Sequence, residues 1–67
     1  MSLSLIIPAF NEEEKIKITI KKLINFKKNI SNIEILVIDD KSTDKTYKIV
    51  KYIKKNKSFI KLFSNPK

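Results

Sequence analysis

Glycine is missing altogether from these 67 residues, and so are cysteine, histidine and arginine. Without cysteine there is neither a disulfide nor a thiolate metal site. Without histidine the commonest imidazole base and metal ligand goes too. Any chemistry here must run on carboxylates, hydroxyls, lysines and backbone groups. The lack of glycine is unusual in a chain that needs tight turns, because glycine reaches left-handed backbone conformations freely. No apolar run approaches the ~18 residues that span a bilayer. The start, Met1 to Ile7, has no basic stretch of the signal-peptide kind and runs into Pro8. A cytosolic setting is the default expectation.

The length, residues 1–67, suits one small unit. At that size roughly half or a little more of the unfolded surface can be buried, so a lone core is marginal. The formal net charge is +8, and all 15 cations are lysines. Such an excess invites a nucleic-acid or anionic-membrane partner. Against that, the lysines are spread through the polar faces of two amphipathic stretches, as solubilising charge usually is. Arginine, preferred for bidentate phosphate and base contacts, is absent. No nucleic-acid partner is expected.

The chain is organised around Ile35-Leu-Val-Ile-Asp-Asp-Lys-Ser-Thr-Asp44. Four apolar residues in a row, three of them β-branched, read as a strand buried on both faces. The run stops at two adjacent carboxylates, Asp39 and Asp40. A buried strand can end that way only if the acids emerge at its carboxyl edge, since an unpaired buried charge is costly. In open α/β sheets ligands bind at that edge.

Around this stretch the pattern alternates. Leu3 to Ile7 reads as a first strand ended by Pro8. Asn11 reads as a helix N-cap, with Glu12, Glu13 and Glu14 in the first turn and Glu14 closing a capping box. Ile16, Ile20, Leu23 and Ile24 form one apolar stripe at helical spacing, and that helix should end near Phe26 or Lys27. Asn29 to Asn32 is turn-like. After the central strand, Ile33 to Ile38, Ser42 or Thr43 reads as the next N-cap, with Asp44 in the first turn. Thr46, Ile49, Val50 and Ile53 make the second stripe, ended by Asn56 to Ser58. Phe59 to Phe63 is a third strand, and Ser64 to Lys67 begins a loop. The order βαβαβ with short connections implies parallel strands and right-handed crossovers.

Two blocks now carry a resemblance. Ser4-Leu-Ile-Ile-Pro-Ala-Phe-Asn-Glu-Glu13, followed by Glu34-Ile-Leu-Val-Ile-Asp-Asp-Lys-Ser-Thr-Asp-Lys-Thr46, resembles the start of a family 2 glycosyltransferase of the GT-A fold. The resemblance covers almost the whole chain. It implies an α/β fold: a three-layer, Rossmann-like βαβαβ unit with parallel strands, forming the N-terminal, nucleotide-binding part of a GT-A domain. The implied partner is a nucleoside-diphosphate sugar, and the acceptor is unknown. The implied nucleotide-binding residues are Pro8, Ala9, Phe10, Glu12, Ile38 and Asp40. Asp40 would accept a hydrogen bond from a ring N–H of the base, which suits a group that only accepts. Phe10 would supply an apolar wall. The implied cofactor is Mn or Mg, held by an Asp-x-Asp motif that this sequence does not contain, so these residues alone should have little or no transferase activity. The full-length protein would work in the cytoplasm, at the inner face of a membrane. Where the family usually has glycine, this chain has Lys41 and Lys45. In the family the third strand lies outside the second and the first pairs with a strand not found here, so an open sheet edge should promote self-association.

Each of these residues also has a plain structural reading. Asp39 and Asp40 can form the turn, while Asn11, Glu12, Glu13, Glu14, Ser42 and Thr43 can cap helices. Pro8 can simply terminate a strand, and Phe10 can fold back into the core. Two other functions compete. Ile35 to Asp40 also looks like the first strand of a response-regulator receiver, where an acidic pair binds Mg, though here a whole strand–helix unit precedes it. The lysine faces also suit a basic fragment that docks on RNA or anionic lipid.

Overall fold

The computed structural model describes residues 2–30 and 32–65. Three strands, β1 (Ser2–Ala9), β2 (Asn32–Asp39) and β3 (Ile60–Ser64), alternate with two helices, α1 (Ile16–Lys27) and α2 (Thr46–Ile53). A 3-10 turn, Lys54–Asn56, follows α2. The strands are parallel in the order β1-β2-β3. The α/β class and the βαβαβ order are those expected. Of the expected terminal loop, Pro66 and Lys67 lie outside the described residues, as does Ser31 in the turn before β2.

Register explains the core. Leu3, Leu5, Ile7 and Ala9 of β1 stand beside Ile33, Ile35, Val37 and Asp39 of β2, and Ile35 and Val37 in turn stand beside Ile60 and Leu62 of β3. Successive side chains alternate faces, so this set shares one face. Ile16 and Ile20 of α1 and Val50 of α2 join Ala9, Ile35, Val37 and Ile60 in a single buried cluster. Leu23, Ile24, Ile49 and Ile53 pack around it half-buried. The two helical stripes are therefore as the periodicity predicts, and α1 ends at Lys27 as expected.

Both helices lie on that one face. Two right-handed crossovers stepping in the same direction along the sheet put their helices on the same side. The second helical layer of the three-layer arrangement is not supplied by the described residues. The reading of β2 as buried on both faces is corrected accordingly: Ile33, Ile35, Val37 and Asp39 are buried, but the alternate residues Glu34, Leu36 and Ile38 are only half-covered. On the same open face Ile6 and Phe63 are 64% and 51% exposed.

Pro8 does not end β1, which continues to Ala9. The Ala9 carbonyl accepts the Asp40 N–H at 2.8 Å, so residues in phase with Ala9 bond toward β2. Pro8 is out of phase, and its missing N–H falls on the outer edge, where a ladder loses nothing. Among the described residues that edge has no strand partner.

Candidate functional site

The carboxyl ends of the three strands are tied together. Asp40 N–H donates to the Ala9 carbonyl at 2.8 Å, and Asn65 N–H donates to the Asp39 carbonyl at 2.9 Å. The two acids that close β2 share this rim but not one environment. Asp39 is in phase with the core face and is 4% exposed. Its carboxylate accepts from the Ser42 hydroxyl and from the Ser42 N–H, the latter at 3.1 Å. This meets the condition for a buried charge, that hydrogen bonds replace lost water. Asp40, one residue on, is exposed. Its Oδ1 accepts from Asn65 Nδ2 at 3.1 Å. The receiver-like reading needs both acids to face one cation, and the side-chain alternation separates them.

The loops after β1 and β2 clasp each other. Asn11 and Lys41 both adopt left-handed backbone, with φ 47° and 58°. Asn11 N–H donates to Ser42 Oγ at 2.9 Å, while Asn11 Oδ1 accepts from the Thr43 and Asp44 amides at 2.8 and 3.3 Å. Glu12 N–H donates to Thr46 Oγ1 at 2.8 Å. Glu13 N–H donates to Asp44 Oδ2 at 3.2 Å, and Lys45 N–H returns a bond to Glu13 Oε1 at 3.3 Å. Asp44 Oδ1 also accepts from the Thr46 amide at 2.9 Å and from the Thr46 hydroxyl. Desolvation pushes the Asp44 carboxyl pKa up, but the bonds from the Thr46 hydroxyl, the Thr46 amide and the Glu13 amide outweigh it and hold the group below its ordinary value.

This clasp corrects the capping assignments. Neither helix has a side-chain cap or an acid in its first turn. Glu12, Glu13 and Glu14 lie in a turn ahead of α1, whose entry is closed by Glu12 carbonyl accepting from the Lys15 and Ile16 amides at 2.9 and 2.7 Å. Asn11 could not serve as an N-cap, because its side chain is committed to the other loop and its backbone is left-handed, whereas an N-cap takes extended dihedrals. Ser42 caps nothing helical either, since its hydroxyl serves Asp39 and Asn11.

The six residues singled out by the resemblance fall into three groups. Pro8 and Ile38 are register partners on the helix-free face, next to the rim where Asp40 emerges. Phe10, 57% exposed, follows them out of β1 and does not fold into the core. Ala9 is 2% exposed on the opposite face, so only its backbone reaches the rim. Glu12, with Asn11, Glu13, Glu14, Lys15 and Asp44, lines a shallow depression of about 370 Å³ whose lining does not include Asp40. Two contributors were missed in the sequence. Asn65 anchors Asp40, and the Thr46 hydroxyl, hidden inside an apolar stripe, joins the two loops. A threonine among three aliphatic residues was the available signal for the second. None existed for the first, since its partner is distant in sequence.

Comparison with known proteins adds the rest. Residues 4–67 match the family described as Glycosyl transferase family 2. A dolichyl N-acetyl-alpha-D-glucosaminyl phosphate 3-beta-D-2,3-diacetamido-2,3-dideoxy-beta-D-glucuronosyltransferase of Methanococcus voltae is 42% identical over 67 residues, covering 97% of this chain and 21% of that protein. A UDP-N-acetylglucosamine–dolichyl-phosphate N-acetylglucosaminyltransferase of the same organism is 51% identical over 47 residues, 70% of this chain and 17% of that protein. A GalNAc(5)-diNAcBac-PP-undecaprenol beta-1,3-glucosyltransferase of Campylobacter jejuni is 36% identical over 63 residues, 94% of this chain and 20% of that protein. The chain thus spans about a fifth of the length of these relatives. No solved structure gives a significant match.

Proposed function

The chain belongs to glycosyltransferase family 2, and from that premise we propose that it forms the nucleotide-binding part of an enzyme that transfers a sugar from a nucleoside-diphosphate donor to an acceptor. One observation carries this reading: of the two adjacent acids, Asp40 is the exposed one, at the carboxyl rim beside Pro8 and Ile38. A carboxylate only accepts, so it selects a base edge that donates, such as the uracil N3–H or guanine N1–H. Ile38, Pro8 and the exposed Phe10 give the base an apolar surface. Ala9 holds Asp40 in place through its carbonyl, and Glu12 keeps an exposed carboxylate on the adjoining loop. One relative's name begins with UDP-N-acetylglucosamine, which favours uridine as the base.

The Mn or Mg ion that would neutralise the diphosphate belongs, in this reading, to an Asp-x-Asp motif outside these residues. Among the described residues no group of three or more His, Cys, Asp or Glu could hold a metal ion. No chemical step is therefore assigned to them, and the 67-residue chain should not turn over a sugar nucleotide. The names of two relatives include dolichyl phosphate and undecaprenol, both long-chain isoprenoid lipids. We propose that the whole protein works in the cytoplasm at the inner face of a membrane, a setting that a lipid acceptor would suit. Among the described residues no helix is long and apolar enough to cross one.

The test is a two-dimensional NMR titration of the chain with UDP. Shifts should centre on Phe10, Ile38, Asp40 and Asn65. Asp40→Ala should weaken binding by about tenfold to a hundredfold, the equivalent of one charge-assisted hydrogen bond. Shifts confined to other residues, or an Asp40→Ala chain that binds as well, would refute the reading. Measurable transferase turnover would refute the assignment of the metal site elsewhere.

A further inference from the structure

The charges of this chain are sorted by layer. Residues 15–28 and 45–57, which form the two helices and their ends, hold six lysines each and no Asp or Glu. Glu12, Glu13, Glu14, Asp39, Asp40 and Asp44 all gather at the carboxyl rim, and Glu34 is on the helix-free face. Along the sequence these lysines read as ordinary solubilising charge. Folded, six of them, Lys17, Lys21, Lys45, Lys48, Lys55 and Lys57, line one groove, while Lys15 borders the acidic depression at the rim and Lys27 lies over the Phe59 ring.

The groove is open, has a volume of about 850 Å³ and runs between the helices. Lys17 and Lys21 form one bank, Lys45 and Lys48 the other, and Lys55 and Lys57 close the end. Its floor is apolar, built from the half-buried Ile24, Ile49 and Ile53, and Tyr52 stands 77% exposed beside them. The groove lies across the sheet from the face that carries Pro8 and Ile38, so it is not the nucleotide site.

We propose that this lysine-banked helical face docks the protein on an anionic lipid bilayer. The charged residues that line the groove are all lysines, which fits a negatively charged surface and no neutral one. Lysine stems can bury against lipid while the ammonium groups stay among the headgroup phosphates. An exposed tyrosine beside an apolar floor suits the boundary between headgroups and hydrocarbon. RNA is the weaker fit: it calls for arginine and for several stacking aromatics, and the groove offers no arginine and only Tyr52. This surface is independent of the Asp40 rim, so vesicle binding and nucleotide binding can each fail without the other.

Co-sedimentation of the chain with phosphatidylcholine vesicles, with and without phosphatidylglycerol, tests the proposal. Binding should require phosphatidylglycerol and weaken with salt. The double variant Lys21→Glu, Lys48→Glu should lower the partition coefficient by roughly tenfold or more. The double variant Lys41→Glu, Lys61→Glu has the same net charge but leaves the helical layer intact, and should stay within about twofold of the parent. Far-UV circular dichroism checks that both remain folded, and Lys21→Gln with Lys48→Gln, expected to bind more weakly than the parent, serves if the reversed pair does not. Equal binding to both vesicle types, equal losses in the two double variants, or a single-stranded RNA that strips the chain from the vesicles would overturn it.

Discussion

Replacing Lys41 and Lys45 one at a time by glycine should move stability in opposite directions. The family usually has glycine at both positions, so similarity alone would predict the same benefit at each. The backbone says otherwise. Lys41 sits at φ 58°, in the left-handed region. An L-residue there carries about 1–2 kcal/mol of steric cost from its Cβ. Glycine removes that cost but loses about 0.5–1 kcal/mol more conformational entropy on folding. The net is a gain of about 0–1.5 kcal/mol, about 0.75 at the midpoints of the two ranges. Lys45 has φ −87° and ψ 9°, where a Cβ is tolerated, so glycine there brings the entropic loss of about 0.5–1 kcal/mol and relieves nothing. Both side chains are exposed, so lost packing does not blur the comparison. In a domain of this size each kcal/mol moves Tm by about 4–8 °C. Thermal and urea unfolding, followed by far-UV circular dichroism at one fixed protein concentration, should therefore show Lys41→Gly above the parent and Lys45→Gly below it. Lys41→Ala, which keeps the Cβ, should gain nothing. Two glycine variants shifting in the same direction, or a stabilising alanine, would refute the assignment of strain to Lys41.

Three further outcomes follow from the loops and the open sheet. Asn11→Ala removes the acceptor for the Thr43 and Asp44 amides and should cost about 1–2 kcal/mol in a urea melt; an unchanged midpoint would mean the two loops hold each other by other means. The Asp44 carboxyl pKa is held below its ordinary value of 3.8, so the folded form binds that proton less readily than the unfolded chain does. Its contribution is present above pH 3.8 and lost as pH falls through the lower folded value, so Tm should drop at acid pH and Asp44→Asn should flatten that part of the profile. Sedimentation should show concentration-dependent self-association through the open edge and the exposed Ile6, and Ile6→Lys should reduce it; a monomer at all concentrations would contradict this.

The helical stripes were legible because Ile16, Ile20, Leu23 and Ile24, and then Thr46, Ile49, Val50 and Ile53, recur at helical spacing. The capping residues were not. Asn11, Ser42 and Asp44 have the same chemistry whether they close their own helix or reach across to another loop. Each has a partner about thirty residues away in the other loop, although Ser42 also serves Asp39 and Asp44 also serves Thr46. The strain at Lys41 could be anticipated only through a resemblance that puts glycine there. The open face of β2 was hidden as well, since Ile35 to Ile38 is apolar at every position and shows no alternation.

By itself, then, the order of residues determined a parallel βαβαβ unit with two acids at the carboxyl end of its middle strand, because periodicity, short connections and handedness leave few other ways to bury those stripes. It did not determine which acid faces outward. That depends on which side of the sheet both helices cover, and so on contacts between elements far apart in the chain. Only the packed structure put Asp39 beneath the helices with Ser42 and left Asp40 at the rim.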